Sequence, residues 1–533
     1  LPDTFQQRLN LLHSTAILPQ LTHIKRGIEK EGLRTTADGQ IASTPHPTEL
    51  GATLTHPSIT TDYSEALLEF ITPALESPQA AIAYLHDIHS YAYSCLNDEL
   101  IWPASMPCIL NGEDSIAIAE YGSSNIGTLK HVYRIGLAHR YGKTMQAIAG
   151  VHYNFSLPTS FWPLFKAALG ESSTDQDFQT EQYFALIRNF HRYSWLTLYL
   201  FGASPALCAS FMASQPPEGQ SHQLDNFDQD TLYGPLATSL RMGDLGYQND
   251  AQQGINVCYN SLERYVDGLG KAINTSLPAY EKLGVKIDDQ YRQLNTNILQ
   301  IENEYYSDIR PKRVTPSCQK PLHVLAKQGV EYIEVRNLDI NPFLPTGIDE
   351  QQIRFMDAFL LFCLLEDSPS CEAEQEKLNV HNKALVVNQG RAENVQLFSE
   401  LNKTQSMPEW GGQLLDKIEL VAALLDQAYA QQGLNQANES YVAAVAAQRE
   451  KLLDSSLTPS AQLLNAMQQG KSFVDVSLEL ARGHKAHFKA QPPTTGKLAE
   501  FKQQSEQSLL DQQAIEAADK QSFDDFLAHY NAL

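Results

Sequence analysis

From about residue 20 to residue 365, short runs of alternating apolar and polar residues are interleaved with stretches of helical periodicity. Val151–Leu157 puts Val151, Tyr153, Phe155 and Leu157 on one side and His152, Asn154 and Ser156 on the other, which predicts a half-buried strand with a polar working face. Tyr332–Arg336 alternates similarly, with Glu334 and Arg336 opposite Ile333 and Val335, and Leu67–Thr72 is a third strand with Glu69 in a mostly apolar run. Between them, Ala81, Ile82, Leu85, Ile88, Ala92 and Leu96 recur at helical spacing behind a Ser77-Pro78 start, and Gln352–Leu365 reads as a deeply buried helix. Beyond about residue 375 the strand signals fade. Leu414, Ile418, Val421 and Leu425 form a helical stripe, similar stripes occur near 440–453, 472–481 and 498–530, and Gln491–Gly496 reads as a linker between the last two. The expected architecture is α+β: a catalytic core over residues 1–370 and a helical region over 371–533 packed on it.

Charge narrows the function. Lys and Arg number 39 against 62 Asp and Glu, a formal net charge of −23, which repels phosphate backbones and anionic lipid and so excludes nucleic acid and membrane surfaces as expected partners. The seven cysteines are scattered and form no CxxC, so neither a disulfide framework nor a zinc ribbon is expected, and their expected place is the core. The apolar run Phe359–Leu365 is far shorter than the roughly 20 residues that span a bilayer. The opening LPDTFQQRLN lacks a basic segment followed by an apolar one. A cytoplasmic, soluble protein is expected, and a monomer; the absence of sustained heptads argues only against a coiled-coil dimer. Gly136-LAHRY-Gly142-Lys143-Thr144 has five residues between its glycines where a phosphate loop needs four, and Gly268-Leu-Gly270 lacks the third glycine of a dinucleotide fingerprint.

Carboxylates recur on short, otherwise apolar segments. Glu29 and Glu31 are two apart, and on a strand both project from one face; Glu302 and Glu304 share that spacing, and Asp62 and Glu69 flank a turn-to-strand segment. Singly, each has a plainer explanation: a solvated strand for an ExE pair, a buried ion pair for Glu69 or Glu334, a hydrogen-bonded ring for His152. Together, and accompanied by Arg336, Arg241 and Lys312/Arg313, they suggest a divalent cation that neutralises crowded acids, with arginines left to meet phosphates or substrate carboxylates. Mg²⁺ is the expected ion, and His152 as an imidazole ligand gives tolerance of Mn²⁺.

The stretches GIEKEGLR (27–34), LTHPSITTDYSEALLEFITP (54–73), WPASMPC (102–108), YGSSNIG (121–127), GVHYNFSLP (150–158) and YLFGASPA (199–206) resemble the proteobacterial type of bacterial glutamate–cysteine ligase, or γ-glutamylcysteine synthetase. The likeness continues through ATSLRMGDLGY (237–247), LQIENEYYSDIRPKR (299–313) and EYIEVRNLDINPF (331–343). It implies a glutamine-synthetase-like fold, with a curved antiparallel sheet bearing the active site, flanking helices and a helical C-terminal region. The implied reaction is ATP-dependent ligation of L-glutamate to L-cysteine through a γ-glutamyl phosphate, the first step of glutathione biosynthesis, with glutathione as a feedback inhibitor.

Residue by residue, the resemblance implies a metal shell of Glu29, Glu31, Asp62, Glu69, His152 and Glu334, and a catalytic Arg336 on the transferred phosphoryl group. It implies Arg241, Gln146 and Asn154 as glutamate-binding, and Tyr133, Leu137, Tyr247 and Tyr306 as the cysteine pocket. Lys30, Gly32 and Asn337 depart from the family's pattern beside these positions. The rival readings are a glutamine-synthetase-like ligase with another amine acceptor, a catalytically silent binding or regulatory relative, and a metal-dependent phosphohydrolase.

Overall fold

The computed structural model describes residues 3–532 except 215–223, 246–254, 256, 317–318 and 435–439. Seven antiparallel strands form the central sheet: β1 (Lys25–Thr35), β2 (Ile59–Thr61), β3 (Leu67–Ile71), β4 (Leu100–Ile101), β5 (Val151–Ser156), β6 (Ile309–Lys312) and β7 (Tyr332–Leu338). Their order in space is β6-β7-β5-β1-β3-β2, and β4 pairs with the last residues of β1. The alternation expected at 151–157 and 332–336 is realised as β5 and β7, and that at 67–72 as β3. Their odd–even pattern sorts Ile28, Leu68, Phe70, Tyr153, Phe155, Ile333 and Val335 onto one buried face.

The helices used below are α1 (Pro78–Cys95), α2 (Asn125–Tyr141), α3 (Asp175–Phe201), α4 (Glu350–Leu365), α5 (Met407–Gln431), α6 (Tyr441–Leu453), α7 (Phe473–Ala490), α8 (Thr495–Ala518) and α9 (Phe523–Ala532). The start expected for α1 is present: the Ser77 side chain accepts from the Ala80 amide, and Pro78 occupies the first turn, where its missing N–H costs nothing. The buried helix expected from Gln352 begins two residues earlier, with Asp349 capping the Gln352 amide at 2.7 Å. Every residue of α4 from Gln352 onward is buried, and burying each of Phe355, Phe359 and Phe362 contributes about 1.5–3 kcal/mol. One apolar core runs from Phe5 to Phe501 and takes in α1, α3, α4 and the C-terminal helices α5 to α8. A second, small core lies between α2 and α9.

The structure corrects the sequence reading in several places. Strand structure does not end near residue 375: Gln396–Glu400 and Lys403–Ser406 form an isolated hairpin, too exposed to show clean alternation. The stripe over 498–530 is two helices, α8 and α9, parted around Asp519–Ser522. Glu302–Glu304 is a 3-10 turn rather than strand, so the spacing of two does not place its acids on one sheet face. Among the described cysteines, Cys108, Cys208 and Cys363 are buried, whereas Cys95, Cys258 and Cys371 are only half-buried; Cys318 lies outside the described residues. Gly136 and Gly142 sit within and at the end of α2, and Gly268 and Gly270 lie within the helix Leu262–Asn274, so neither near-motif forms a loop. No helix among the described residues is long and apolar enough to cross a membrane.

Candidate active site

Opposite its apolar face, the sheet displays a polar row assembled from strands distant in sequence. The ladder sets Glu31 across from Glu69 and Glu29 across from His152, then Asn154 across from Glu334 and Glu334 across from Arg310. His152 is the hub. Its Nδ1 lies 3.0 Å from Glu29 Oε2 and 3.8 Å from Glu334 Oε1, and its Nε2 lies 3.6 Å from Glu31 Oε1. Asn154 Nδ2 donates to Glu29 Oε1 at 2.8 Å, and the Gly150 amide donates to Glu31 Oε2 at 2.6 Å. The pairing of β7 with β5 slips between Val335 and Leu338, a bulge that re-aims the side chains there. Arg336 Nη1 thereby donates to Glu334 Oε1 at 3.2 Å and lies 3.4 Å from His152 Nδ1.

The acids of this row differ in charge state. Burial opposes ionisation of all four. For Glu29 burial is the largest single influence, but the hydrogen bond to His152 and the charges of His152 and Lys312 together outweigh it, and its pKa lies below the ordinary value. For Glu334, Lys312 at 3.5 Å and Arg336 hold the carboxyl well below the usual range. Glu31 and Glu69 go the other way. Burial lifts Glu31, and burial together with Glu29, Asp62 and Glu31 drives Glu69 well above the carboxylate range. In this half of the row the protein's own cations are too few to favour ionisation of both carboxyls.

Beside the acids opens a cavity of about 120 Å³, smaller than a typical drug-sized pocket and suited to an amino acid. Tyr133, Arg134, Leu137 and Tyr141 of α2 supply one stretch of its wall and Asn303, Glu304 and Tyr306 another; Asp62, Gln146, Arg310 and Arg336 are among the other residues that line it. Asp62 stands at this rim, 3.8 Å from Arg134. Arg241 is buried next to the end of β7, donating to the carbonyl oxygens of Arg336 at 2.9 Å and Leu338 at 3.3 Å, with Asp339 at 3.6 Å. Only glycine fits beneath it: a Cβ at Gly150 would come within 2.1 Å of its guanidinium.

The fold thus brings Glu29, Glu31, Glu69, His152, Asn154, Glu334 and Arg336 onto one surface, and Asp62, Gln146, Tyr133, Leu137 and Tyr306 around the adjoining cavity. Tyr247 lies outside the described residues. Some expected participants are elsewhere. Arg313 turns away, donating to the Gly329 carbonyl at 2.6 Å beside Glu331, while Lys312 does reach the row. Glu304 is taken up by Arg140 at 3.0 Å and by the Tyr141 hydroxyl, and Glu302 accepts from the Leu322 amide at 2.8 Å. Of the departures from the family pattern, Lys30 lies on the opposite face of β1, where burial pushes its pKa down to about 7, and the Asn337 amide reaches Thr197 of α3. Sequence reasoning missed Arg134 and Arg310. Arg310 is two residues from Lys312 on the same strand, and Arg134 shares the spacing of Lys130, Leu137 and Tyr141 on α2, so the periodicities were present.

A hard divalent cation fits the residues present. Ligand atoms of Glu29, His152 and Glu334 lie within 4.8 Å of one another, and the Asn154 side-chain oxygen is buried without a hydrogen-bond partner. Carboxylate and imidazole donors of this kind suit Mg²⁺ or Mn²⁺.

Comparison with known proteins agrees with this geometry. Residues 9–386 match the family described as glutamate-cysteine ligase. The chain is 52% identical over 531 residues to the glutamate–cysteine ligase of Pseudomonas paraeruginosa, covering 99% of this chain and 98% of the relative. It is 51% identical over 533 residues to the protein of the same name from Pseudomonas fluorescens, covering 100% and 98%. Among solved structures, the glutamate–cysteine ligase of Francisella tularensis in complex with AMP superposes with a TM-score of 0.87 at 35% identity, covering 96% of this chain and 98% of that one. A bifunctional glutathione synthetase from Pasteurella multocida matches with a TM-score of 0.70 at 27% identity, over 91% of this chain and 55% of that chain. The α+β fold is the glutamine-synthetase-like arrangement.

Proposed function

Because the chain belongs to the glutamate–cysteine ligase family, we propose that it joins the γ-carboxylate of L-glutamate to the amine of L-cysteine, splitting ATP to ADP and phosphate. It is an ATP-dependent carbon–nitrogen ligase, and its product, γ-glutamylcysteine, is the first intermediate of glutathione biosynthesis. A carboxylate is a poor electrophile, so an oxygen of the γ-carboxylate first attacks the γ-phosphorus of ATP, releasing ADP and leaving γ-glutamyl phosphate. The cysteine nitrogen then attacks the acyl carbon, the amine gives up a proton, and phosphate departs.

Phosphoryl transfer asks a protein mainly for alignment and for stabilisation of spreading negative charge. Arg336 meets the equatorial oxygens of the transferring group with donors that are already oriented. Its bonds to Glu334 and its place beside His152 keep it in that position. Glu29, Glu31, Asp62, Glu69, His152 and Glu334 would hold Mg²⁺, which when bound would supply charge neutralisation for the nucleotide. Arg241 takes the glutamate α-carboxylate, with Gln146 and Asn154 holding the rest of that substrate. Tyr133, Leu137 and Tyr306 form the cysteine pocket, to which the family resemblance adds Tyr247, and its walls exclude water from the acyl phosphate. Glutathione, sharing the γ-glutamylcysteine portion, inhibits by occupying the same pocket. The enzyme works as a monomer in the cytoplasm, where ATP and reduced cysteine are available.

The observation that carries this reading is Arg336, which touches the acidic row and also lines the amino-acid-sized cavity. ADP release measured with glutamate, cysteine or Mg²⁺ omitted in turn tests it: release is expected only with all three. ADP formed without either amino acid would make the protein a phosphohydrolase, and ammonia replacing cysteine efficiently, where 2-aminobutyrate does not, would assign another acceptor.

A further inference from the structure

Helix α2 serves two structures at once. It gives Tyr133, Leu137 and Tyr141 to one wall of the cavity, and Ile126, Leu129, Val132 and again Tyr133 to the small second core. That core is completed by Leu294 and Ile301, which lead into the other wall, and by Phe523, Phe526, Leu527 and Tyr530 of α9. The four α9 residues follow the i, i+3, i+4, i+7 spacing of a single helical stripe.

Polar contacts join the same three parts. Asn531 Nδ2 of α9 donates to the Leu294 carbonyl at 3.0 Å. Gln300 Nε2 donates to the Tyr133 carbonyl at 3.2 Å and lies so close to α2 that a Cβ at Gly136 would come within 2.1 Å of its Oε1. The Gln300 amide donates to Glu304 Oε2 at 2.6 Å, and the chain continues into Asn303, Glu304 and Tyr306 of the second wall. The end of α8 and the segment between α8 and α9 also secure the start of α2. Glu516 accepts from the Ser123 amide at 2.8 Å, Asp519 accepts from the Asn125 amide, and the Gln521 carbonyl accepts from Asn125 Nδ2 at 3.2 Å. Carboxylates there complement the positive end of the helix dipole. Leu527, the buried residue of α9, lies in the small core and not in the main one, so α9 holds the walls without being part of the core behind the sheet.

We propose that α9 is a clasp that fixes the spacing of the two cavity walls and thereby sets the affinity for the amine substrate, with Leu527 as its central positioning residue. The inference rests on the reading of this cavity as the cysteine pocket. It is tested in the full chain with Leu527→Ala, measuring kcat and the KM of cysteine, glutamate and ATP separately. The KM for cysteine is expected to rise about tenfold, because small misplacement of a pocket wall is felt steeply. The KM values for glutamate and ATP, bound away from this core, should stay within about twofold. Leu527→Met, which conserves volume, should restore the cysteine KM. Phe526→Ala, at a half-buried position, is the milder second variant and should move the cysteine KM in the same direction. An unchanged cysteine KM in both variants, a rise shared equally by all three substrates, or a fall in kcat with all KM values unchanged would overturn the clasp. Failure of the functional reading is separate: the unaltered protein would then show no ADP release that depends on cysteine.

Discussion

The two faces of β1 bury charge in opposite ways. On the back, Arg26 and Asp357 form an ion pair at 2.9 Å with both side chains inaccessible, and Asp357 also accepts from the hydroxyls of Tyr153 at 2.6 Å and Tyr441 at 3.2 Å. That cluster pairs its opposite charges with each other and ties the sheet to α4 and α6. On the front, Glu31 meets Glu69 across the ladder with Glu29 next along the same face, and burial leaves Glu31 and Glu69 with pKa values raised because too few cations face them. Crowding of like charge on a sheet destabilises the protein that carries it. A burial that satisfies itself is architecture, whereas one that is satisfied only by something brought from outside marks where the chemistry occurs.

The contrast can be broken in five ways. The largest effect is expected on the back: Asp357→Ala strands Arg26 in the core and should lower stability by about 3–5 kcal/mol in denaturant unfolding, with an unchanged Mg²⁺ requirement in the protein that remains folded. On the front, Arg336→Ala should lower turnover of the folded protein by about 10²–10³, or about 2.7–4 kcal/mol; normal turnover would contradict the role of Arg336. Mg²⁺ should raise the unfolding temperature of the unaltered protein, reaching about 2.7 kcal/mol of stabilisation at a hundred times its dissociation constant. Glu69→Gln should shrink that gain and raise the half-activating Mg²⁺ concentration about tenfold or more; a titration superposing on that of the unaltered protein would class Glu69 with the back face. The smallest effect is expected for Cys95→Ser, at the half-buried end of α1, because the thiol in this reaction belongs to the substrate: kcat should stay within about twofold.

How much of this was legible in the sequence follows from what periodicity measures. Alternation at 151–157 reveals β5 because one face is apolar, and the same alternation exposes His152 and Asn154 as the other face. Glu29 and Glu31 are legible for the same reason. The cavity wall on α2 is not, because its substrate-facing side carries Arg134 and Tyr141 and breaks the apolar stripe a buried helix would show. Glu302 and Glu304 mislead because spacing of two has meaning only on a strand, and a 3-10 turn turns them elsewhere. Arg310 is hidden by topology: nothing local to Ile309–Lys312 says that β6 will lie beside β7, which lies beside β5. The clasp is equally silent, since Leu294 and Leu527 meet only in the folded chain.

The strand order has a consequence for synthesis. Glu29, Glu31, Glu69 and His152 leave the ribosome well before β7, yet β5 takes its second neighbour from β7, which also brings Glu334 and Arg336. A nascent chain that stops short of residue 334 therefore holds part of the acidic row but lacks Glu334 and Arg336, the arginine proposed to meet the transferring phosphoryl group. Fragments released by interrupted translation should hydrolyse no ATP, and maturation should wait on a long-range strand insertion, which is intrinsically slow.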